Sequence, residues 1–236
     1  MTVRKLAYSV SEREHWISAA GGLFGILVVL WVGEIWIGGH AGMLVIASMG
    51  SSTVLLFAAP HGAMSQPWPV FGGHMVSALI GVTCARWLGS EPMLAASLAV
   101  ALAIAAMYSL RCLHPPGGAT ALYAVLGGET VHALGYGYLF SPVLLNIVVL
   151  LSVAVMFNYP FAWRRYPQSW HQRTQSAVVA DEKGMIPHSN LVYALSQIDT
   201  FVDVSEDDLQ RIYALALAGQ PQPATDTAAR PAESPG

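Results

Sequence analysis

The sequence predicts an all-α fold: a polytopic membrane helix bundle of about six apolar segments, arranged as two inverted three-segment repeats. Three observations predict it. The chain of 236 residues is 54% hydrophobic and only 11% charged, against about a quarter charged in soluble domains. The deficit is local: from His15 to Trp163 the only charged residues are Glu34, Arg86, Glu91, Arg111 and Glu129. Finally, two of the apolar segments are interrupted, and they occupy matching positions in the two halves.

A membrane span needs about 20 mostly apolar residues. Trp16 to Ile37 meets that length without a break. Met43 to Ala59 is shorter and carries "GSST" in its middle. His74 to Leu88 follows, led by Gly72-Gly73, and Leu94 to Leu110 is the cleanest span. His114 to Leu126 is short and opens on "HPPGG"; Leu139 to Tyr159 is the last segment. Arg4, Lys5 and Arg13 precede the first span, and Arg164, Arg165, Arg173 and Lys183 follow the last. Basic residues stay in the cytoplasm, so both termini are expected there, in a bacterial inner membrane. Trp16, Trp31, Trp36, Trp68, Trp87, Tyr108, Tyr159 and Trp163 fall near segment ends, where aromatic belts form. The first apolar run is too long for a cleaved signal. Residues 1–165 are read as the membrane domain and 166–218 as a cytoplasmic linker with two amphipathic helices over 188–218. Residues 219–236, rich in Pro, Ala, Thr and Ser, are expected to be disordered.

The two interrupted segments resemble each other. In "GSSTVLLF" (50–57) and "GGATALYA" (117–124), Gly50 matches Gly117, Thr53 matches Thr120 and Leu55 matches Leu122. Tandem three-segment units run in opposite directions through the membrane, near residues 12–88 and 91–160. Broken segments at matching places in such halves point to a transporter's binding site. Pro115 and Pro116 stop any incoming helix and start a new one, and Gly117-Gly118 leave its first turn uncovered. Gly50 to Thr53 is expected to start a second half-helix, with Ser51 or Ser52 as its cap. Two helix starts near the midplane would bind a small anion through unpaired N–H groups and partial positive charge. The expected substrate residues are Gly50, Ser51, Ser52, Thr53, His114, Gly117, Gly118, Ala119 and Thr120.

Other polar residues have simpler readings beside the functional ones. His114 is a pore ligand, a proton carrier or only a helix cap. His74 either lines the path or caps its own span; His61 is a weaker candidate than His114, and His40 and His132 are read as loop residues. Arg111 draws anions to an entrance or snorkels to the surface. Asn146 lines the path or glues helices together, the second being its simpler role. Gly21, Gly22 and Gly25 read as a close-packing face. Cys84 and Cys112 make no disulfide framework and read as small apolar residues in or near helices. No spacing suits a metal site, no nucleophile–base pair suggests an enzyme, and no cofactor or nucleic acid is expected.

"RCLHPPGGATAL" (111–122) resembles the signature of the HPP family of integral membrane proteins. "GSSTVLLFAAPHGAMSQPW", "GGHMVSALIGV", "SPVLLNIVVL" and "FNYPFAWRRYP" resemble further blocks of that family, over roughly residues 12 to 170. The resemblance implies a small multi-span transporter, with nitrite as the associated substrate of some members. Many bacterial members add a C-terminal pair of CBS modules, which is not expected here. The sequence-level expectation is therefore a channel or transporter for a small inorganic anion. Its partners are the lipid bilayer and, from the glycine-rich faces, a second or third copy of itself. A cation or proton pathway would need a carboxylate near a span centre, and Glu34 and Glu129 lie near ends. A structural or signalling module acting through the tail is the other class.

Overall fold

The computed structural model describes residues 11–36 and 46–170, together with Leu209 alone. The chain divides into two compact units, Met1–Ala180 and Asp181–Gly236. The expected helices of 188–218 and the expected tail of 219–236 lie, apart from Leu209, outside the described residues. Within the first unit the helices are α1 (Glu12–Trp36), α2 (Ile46–Ala58), α3 (Pro67–Trp87), α4 (Pro92–Ser109), α5 (Pro115–Leu126), α6 (Gly128–Leu134) and α7 (Leu145–Asn158). No strand occurs among the described residues. Among the described residues, four helical stretches are long and apolar enough to cross a membrane: α1, α3, α4 and the helical run from Gly128 to Asn158. The two interrupted segments form the short helices, α2 with 13 residues and α5 with 12.

Local chemistry explains where helices begin. α3, α4 and α5 each start on a proline, whose fixed φ suits the first helical position and whose missing N–H would be unpaired there anyway. Small residues explain how helices meet. In α1, Gly21, Gly25, Val29 and Gly33 are buried at intervals of four. Phe57 of α2 lies over Gly21 and Gly25, as expected of a close-packing face. In α4 the buried stripe is Ala95, Ala99, Ala103 and Met107. Between membrane helices, such small residues allow close van der Waals packing where lipid removes the usual hydrophobic driving force. Large apolar side chains point outward instead: Leu23, Phe24, Leu27, Leu98, Leu102 and Ile104 are exposed, as a lipid-facing surface requires. All eight predicted interfacial aromatics are exposed.

The packing partners are exchanged between halves. α1 packs on α2 and α7, while α4 packs on α5 and α3. This exchange is the pattern an inverted repeat produces when α1, α2 and α3 match α4, α5 and α7.

Three expectations are corrected. The second segment contains no helix start at Gly50 to Thr53: α2 runs unbroken from Ile46, and those residues are its interior. Each hydroxyl has the carbonyl one turn back within hydrogen-bond reach, Ser51 Oγ that of Ala47 (3.3 Å), Ser52 Oγ that of Ser48 (3.1 Å) and Thr53 Oγ1 that of Met49 (2.8 Å). Back-bonding of this kind lets Ser and Thr stay in a helix. The last segment is not one helix from Leu139. A 3₁₀ turn (Gly135–Leu139) and a wide π-type turn (Phe140–Leu144) precede α7, with non-helical backbone at Ser141; His132 lies in α6, not in a loop. Just past residue 165, Tyr166 and Gln168 pack on the turn before α3. Tyr166 is buried and donates to the Ser65 carbonyl (2.8 Å), and the Gln168 N–H donates to Gln66 Oε1 (3.1 Å).

Candidate functional site

The start of α5 builds the site. Proline restricts the residue before it to extended backbone, and His114 has φ −144° and ψ 100°. That conformation turns the His114 side chain away from the helix end it precedes. It makes no cap bond and enters the bundle, where it is fully buried. Gly73 of α3 makes the space: a Cβ there would stand 2.6 Å from His114 Cβ. One residue on, His74 is also fully buried, and the two imidazoles meet edge to face at 4.9 Å between centroids.

Ser52, from the middle of α2, joins them. Its Oγ lies 2.8 Å from His74 Nε2 and 2.8 Å from His114 Nε2. The outer nitrogens are engaged too: His74 Nδ1 lies 2.7 Å from Thr120 Oγ1, and His114 Nδ1 lies 2.9 Å from the Met64 carbonyl. Thus α2, α3, α5 and the turn around Met64 converge on one polar cluster.

The proton positions in this cluster follow from donor counting. A carbonyl only accepts, so His114 Nδ1 carries the proton that bonds Met64. In neutral histidine the other nitrogen is then an acceptor, so the Ser52 hydroxyl donates to His114 Nε2. Ser52 has one hydrogen, so it receives from His74 Nε2–H. His74 Nδ1 is left as an acceptor and takes the Thr120 hydroxyl proton. The result is a single oriented chain, Thr120 to His74 to Ser52 to His114 to the Met64 carbonyl, with every ring nitrogen satisfied.

The expected helix-start donors are not free. Pro115 and Pro116 have no N–H, and the Gly117 N–H donates to the His114 carbonyl at 2.8 Å. Gly118, Ala119 and Thr120 lie inside the helix, where N–H groups serve the backbone ladder. Gly117 is not uncovered either: a Cβ there would stand 2.7 Å from the Gly73 carbonyl oxygen and 2.9 Å from Ser77 Oγ. Gly117 is a helix-contact glycine. Gly118 and Gly50 differ, since a Cβ on either meets nothing within 4 Å. Pro116 is buried and Pro115 exposed.

Of the predicted site residues, the structure brings together Ser52, His74, His114 and Thr120. Ser51 is exposed, and Thr53 faces α1, in a groove shared with Ser18 and Gly22. Arg111 is exposed in the turn before α5, with a left-handed φ of 52°. Asn146 is fully buried, but among the described residues neither its amide nitrogen nor its oxygen has a hydrogen-bond partner. Sequence reasoning ranked His74 below His114 and did not find Met64. Gly72-Gly73 beside a histidine was the available signal, because a glycine pair invites close approach.

A second feature lies at the far end of α5. A cavity of about 170 Å³ is bordered by Val82, Arg86, Ala124, Val131, His132 and Gly135. The Arg86 guanidinium stacks on the Tyr136 ring (5.4 Å), and among the described residues it pairs with no carboxylate. Arg111 and Arg86 therefore mark opposite ends of α5.

The chain compares with known proteins as follows. The transmembrane region of the HPP family matches residues 7–167, which include the whole cluster. Two transmembrane proteins of Dictyostelium discoideum are similar. One is 35% identical over 131 residues, covering 54% of this chain and 42% of the relative; the other is 34% identical over 130 residues, covering 54% and 45%. This chain thus spans less than half the length of these relatives. No solved structure matches it.

Proposed function

Because the chain belongs to the HPP family of integral membrane proteins, we propose that it moves a small inorganic anion across the membrane, past the His74–Ser52–His114–Thr120 cluster. The observation that carries this reading is the composition of that cluster. Polar groups at membrane depth are costly and mark pathways by default. Here the buried polar residues of the described chain are serines, threonines, asparagines, two histidines and Arg164, with no carboxylate. A cation pathway would call for carboxylates; hydroxyls and imidazole N–H groups suit an anion. The exposed Arg111 and Arg86 near the two ends of α5 fit the same sign, since fixed positive charge raises the local anion concentration. The family resemblance makes nitrite the first substrate to try. Localisation in a bacterial inner membrane with both termini cytoplasmic belongs to the same reading, as does a dimeric or trimeric assembly.

The test is nitrite uptake by purified protein in liposomes. The parent is expected to exceed protein-free vesicles, and Gly118→Leu, which fills an open position two residues before Thr120, is expected to lose at least tenfold. Parent uptake no faster than that of empty vesicles defeats the reading. A Gly118→Leu variant that transports like the parent moves the path away from α5.

A further inference from the structure

We propose that the cluster takes up one proton with each anion, and that the Ser52 hydroxyl makes room for it. This deepens the transport reading and rests on it. The geometry is the reason. As drawn by donor counting, the cluster has one ring lone pair facing Ser52, on His114 Nε2. A proton added there forms a new N–H bond and breaks none. The new donor would point at a hydroxyl hydrogen unless Ser52 turns. Ser52 has a second acceptor in reach, the Ser48 carbonyl at 3.1 Å. Once its hydrogen turns there, Ser52 Oγ accepts from both histidines, at the same 2.8 Å contacts. His114 Nδ1–H keeps the Met64 carbonyl. Every donor is then still paired, so the added proton costs no hydrogen bond. His74 has the same option with a poorer partner: Thr120 Oγ1 would turn to the Pro116 carbonyl at 3.5 Å. The shorter alternative bond favours His114.

The charge explains the coupling. The elements packed around the pair bring it no carboxylate. Their other buried or half-buried titratable groups are His61, Cys84, Cys112, Tyr123 and Tyr138, and their charged side chains, Arg86, Glu91 and Arg111, are exposed. A buried imidazolium without a counter-ion is strongly disfavoured. A passing anion supplies that counter-ion, and the imidazolium supplies the anion's. Each therefore raises the affinity for the other by the same factor. The proton comes from water on the entry side and leaves to water on the exit side, so one proton with one monovalent anion makes the cycle electroneutral.

The experiment loads liposomes carrying the full chain with a trapped pH-sensitive dye and imposes an inward sodium nitrite gradient. Nitrite entry and internal pH are read together, and the acidification of protein-free vesicles, from nitrous acid crossing the lipid, is subtracted. The expected result is one proton per nitrite, unchanged by a potassium–valinomycin potential of either sign. Ser52→Ala, which removes the turning hydroxyl, is expected to lower nitrite-driven acidification at least tenfold, and Ser52→Thr, which restores a hydroxyl, to recover most of it. Nitrite entry without acidification, or entry that follows the potential, overturns the proposal and leaves anion transport standing. Absence of nitrite entry overturns both. A Ser52→Ala protein that keeps the parent's proton ratio overturns the role of Ser52.

Discussion

Asn146 presents a problem that no described neighbour solves. Its amide is buried at the first turn of α7, and among the described residues both polar atoms lack partners. An unsatisfied buried polar group costs about 1–3 kcal/mol, and replacing it by an apolar group of similar shape removes the cost. Asn146→Leu is therefore expected to raise the unfolding temperature in detergent, followed by circular dichroism, by the equivalent of about 1–3 kcal/mol. The variant also separates two roles. If the amide meets the substrate, nitrite uptake falls while stability rises; unchanged uptake would leave Asn146 a cost without a transport function. His114 is the converse case, a polar residue whose every hydrogen bond is made. His114→Ala removes the bonds to the Met64 carbonyl and to Ser52 Oγ together and leaves a cavity where the ring stood. Loss of both stability and uptake is expected, and an alanine variant as stable as the parent would show that the cluster contributes nothing to folding.

At the scale of elements, α3 and α5 meet along a seam of small residues. Gly73, Ser77 and Gly81 of α3 recur every four positions and face Gly117, Ala121 and Ala124 of α5. The seam brings the helices close enough for His74 to reach Thr120. A methyl group at Gly117 would meet the Gly73 backbone oxygen at 2.7 Å, and backbone cannot step aside as a side chain can. Gly117→Ala is expected to destabilise by about 1–3 kcal/mol, the usual cost of overpacking. Gly118→Ala, one residue on, meets open space. It is expected to be neutral or to stabilise by up to about 1 kcal/mol, because alanine has less chain freedom to lose. Thermal melts of the two variants side by side check this. Equal effects would mean that the seam is not where the helices are held.

At the scale of the whole membrane unit, Arg164 ties the ends together. It was read from sequence as one of several basic residues marking the cytoplasmic side. In the structure it is 1% exposed and binds four groups on three helices. Nη1 donates to Glu14 Oε1 (2.7 Å) and Ser18 Oγ (3.1 Å) of α1, Nε to Asn158 Oδ1 (3.2 Å) of α7, and Nη2 to the Phe57 carbonyl near the end of α2. Asn158 in turn donates to the Leu56 carbonyl (3.2 Å), and Trp163 Nε1 to the other Glu14 oxygen (2.9 Å). Burial lowers the guanidinium from its ordinary value and Glu14 works against that shift, but arginine stays charged across any accessible pH. The clamp also satisfies carbonyls that the last turn of α2 leaves unpaired. Arg164→Gln is expected to cost about 3 kcal/mol or more, as when one partner of a buried ion pair is removed. A thermal shift close to zero would demote the clamp to a surface contact. A truncation after residue 175 keeps this clamp whole and is expected to keep nitrite uptake; loss of uptake with the melt unchanged would give residues 176–236 a part in gating.

The sequence by itself determined the membrane class, the all-helical architecture, the family and the start of α5. These rest on forces that act locally or by composition. A proline sets its own φ and its neighbour's, and a run of apolar residues partitions into lipid whatever its partners are. What only the tertiary structure decided was which polar groups meet. Ser52 binds His74 and His114 across 22 and 62 residues, and His74 binds Thr120 across 46. Nothing in a local window distinguishes Ser52, inside the cluster, from Ser51, exposed beside it, because the difference is one of helix phase and neighbour. The continuity of α2 was hidden for a related reason: a serine can cap a helix or bond back within one, and the packing around it selects between them. The same holds for Arg164, whose charge marks a membrane side when exposed and closes three helix ends when buried.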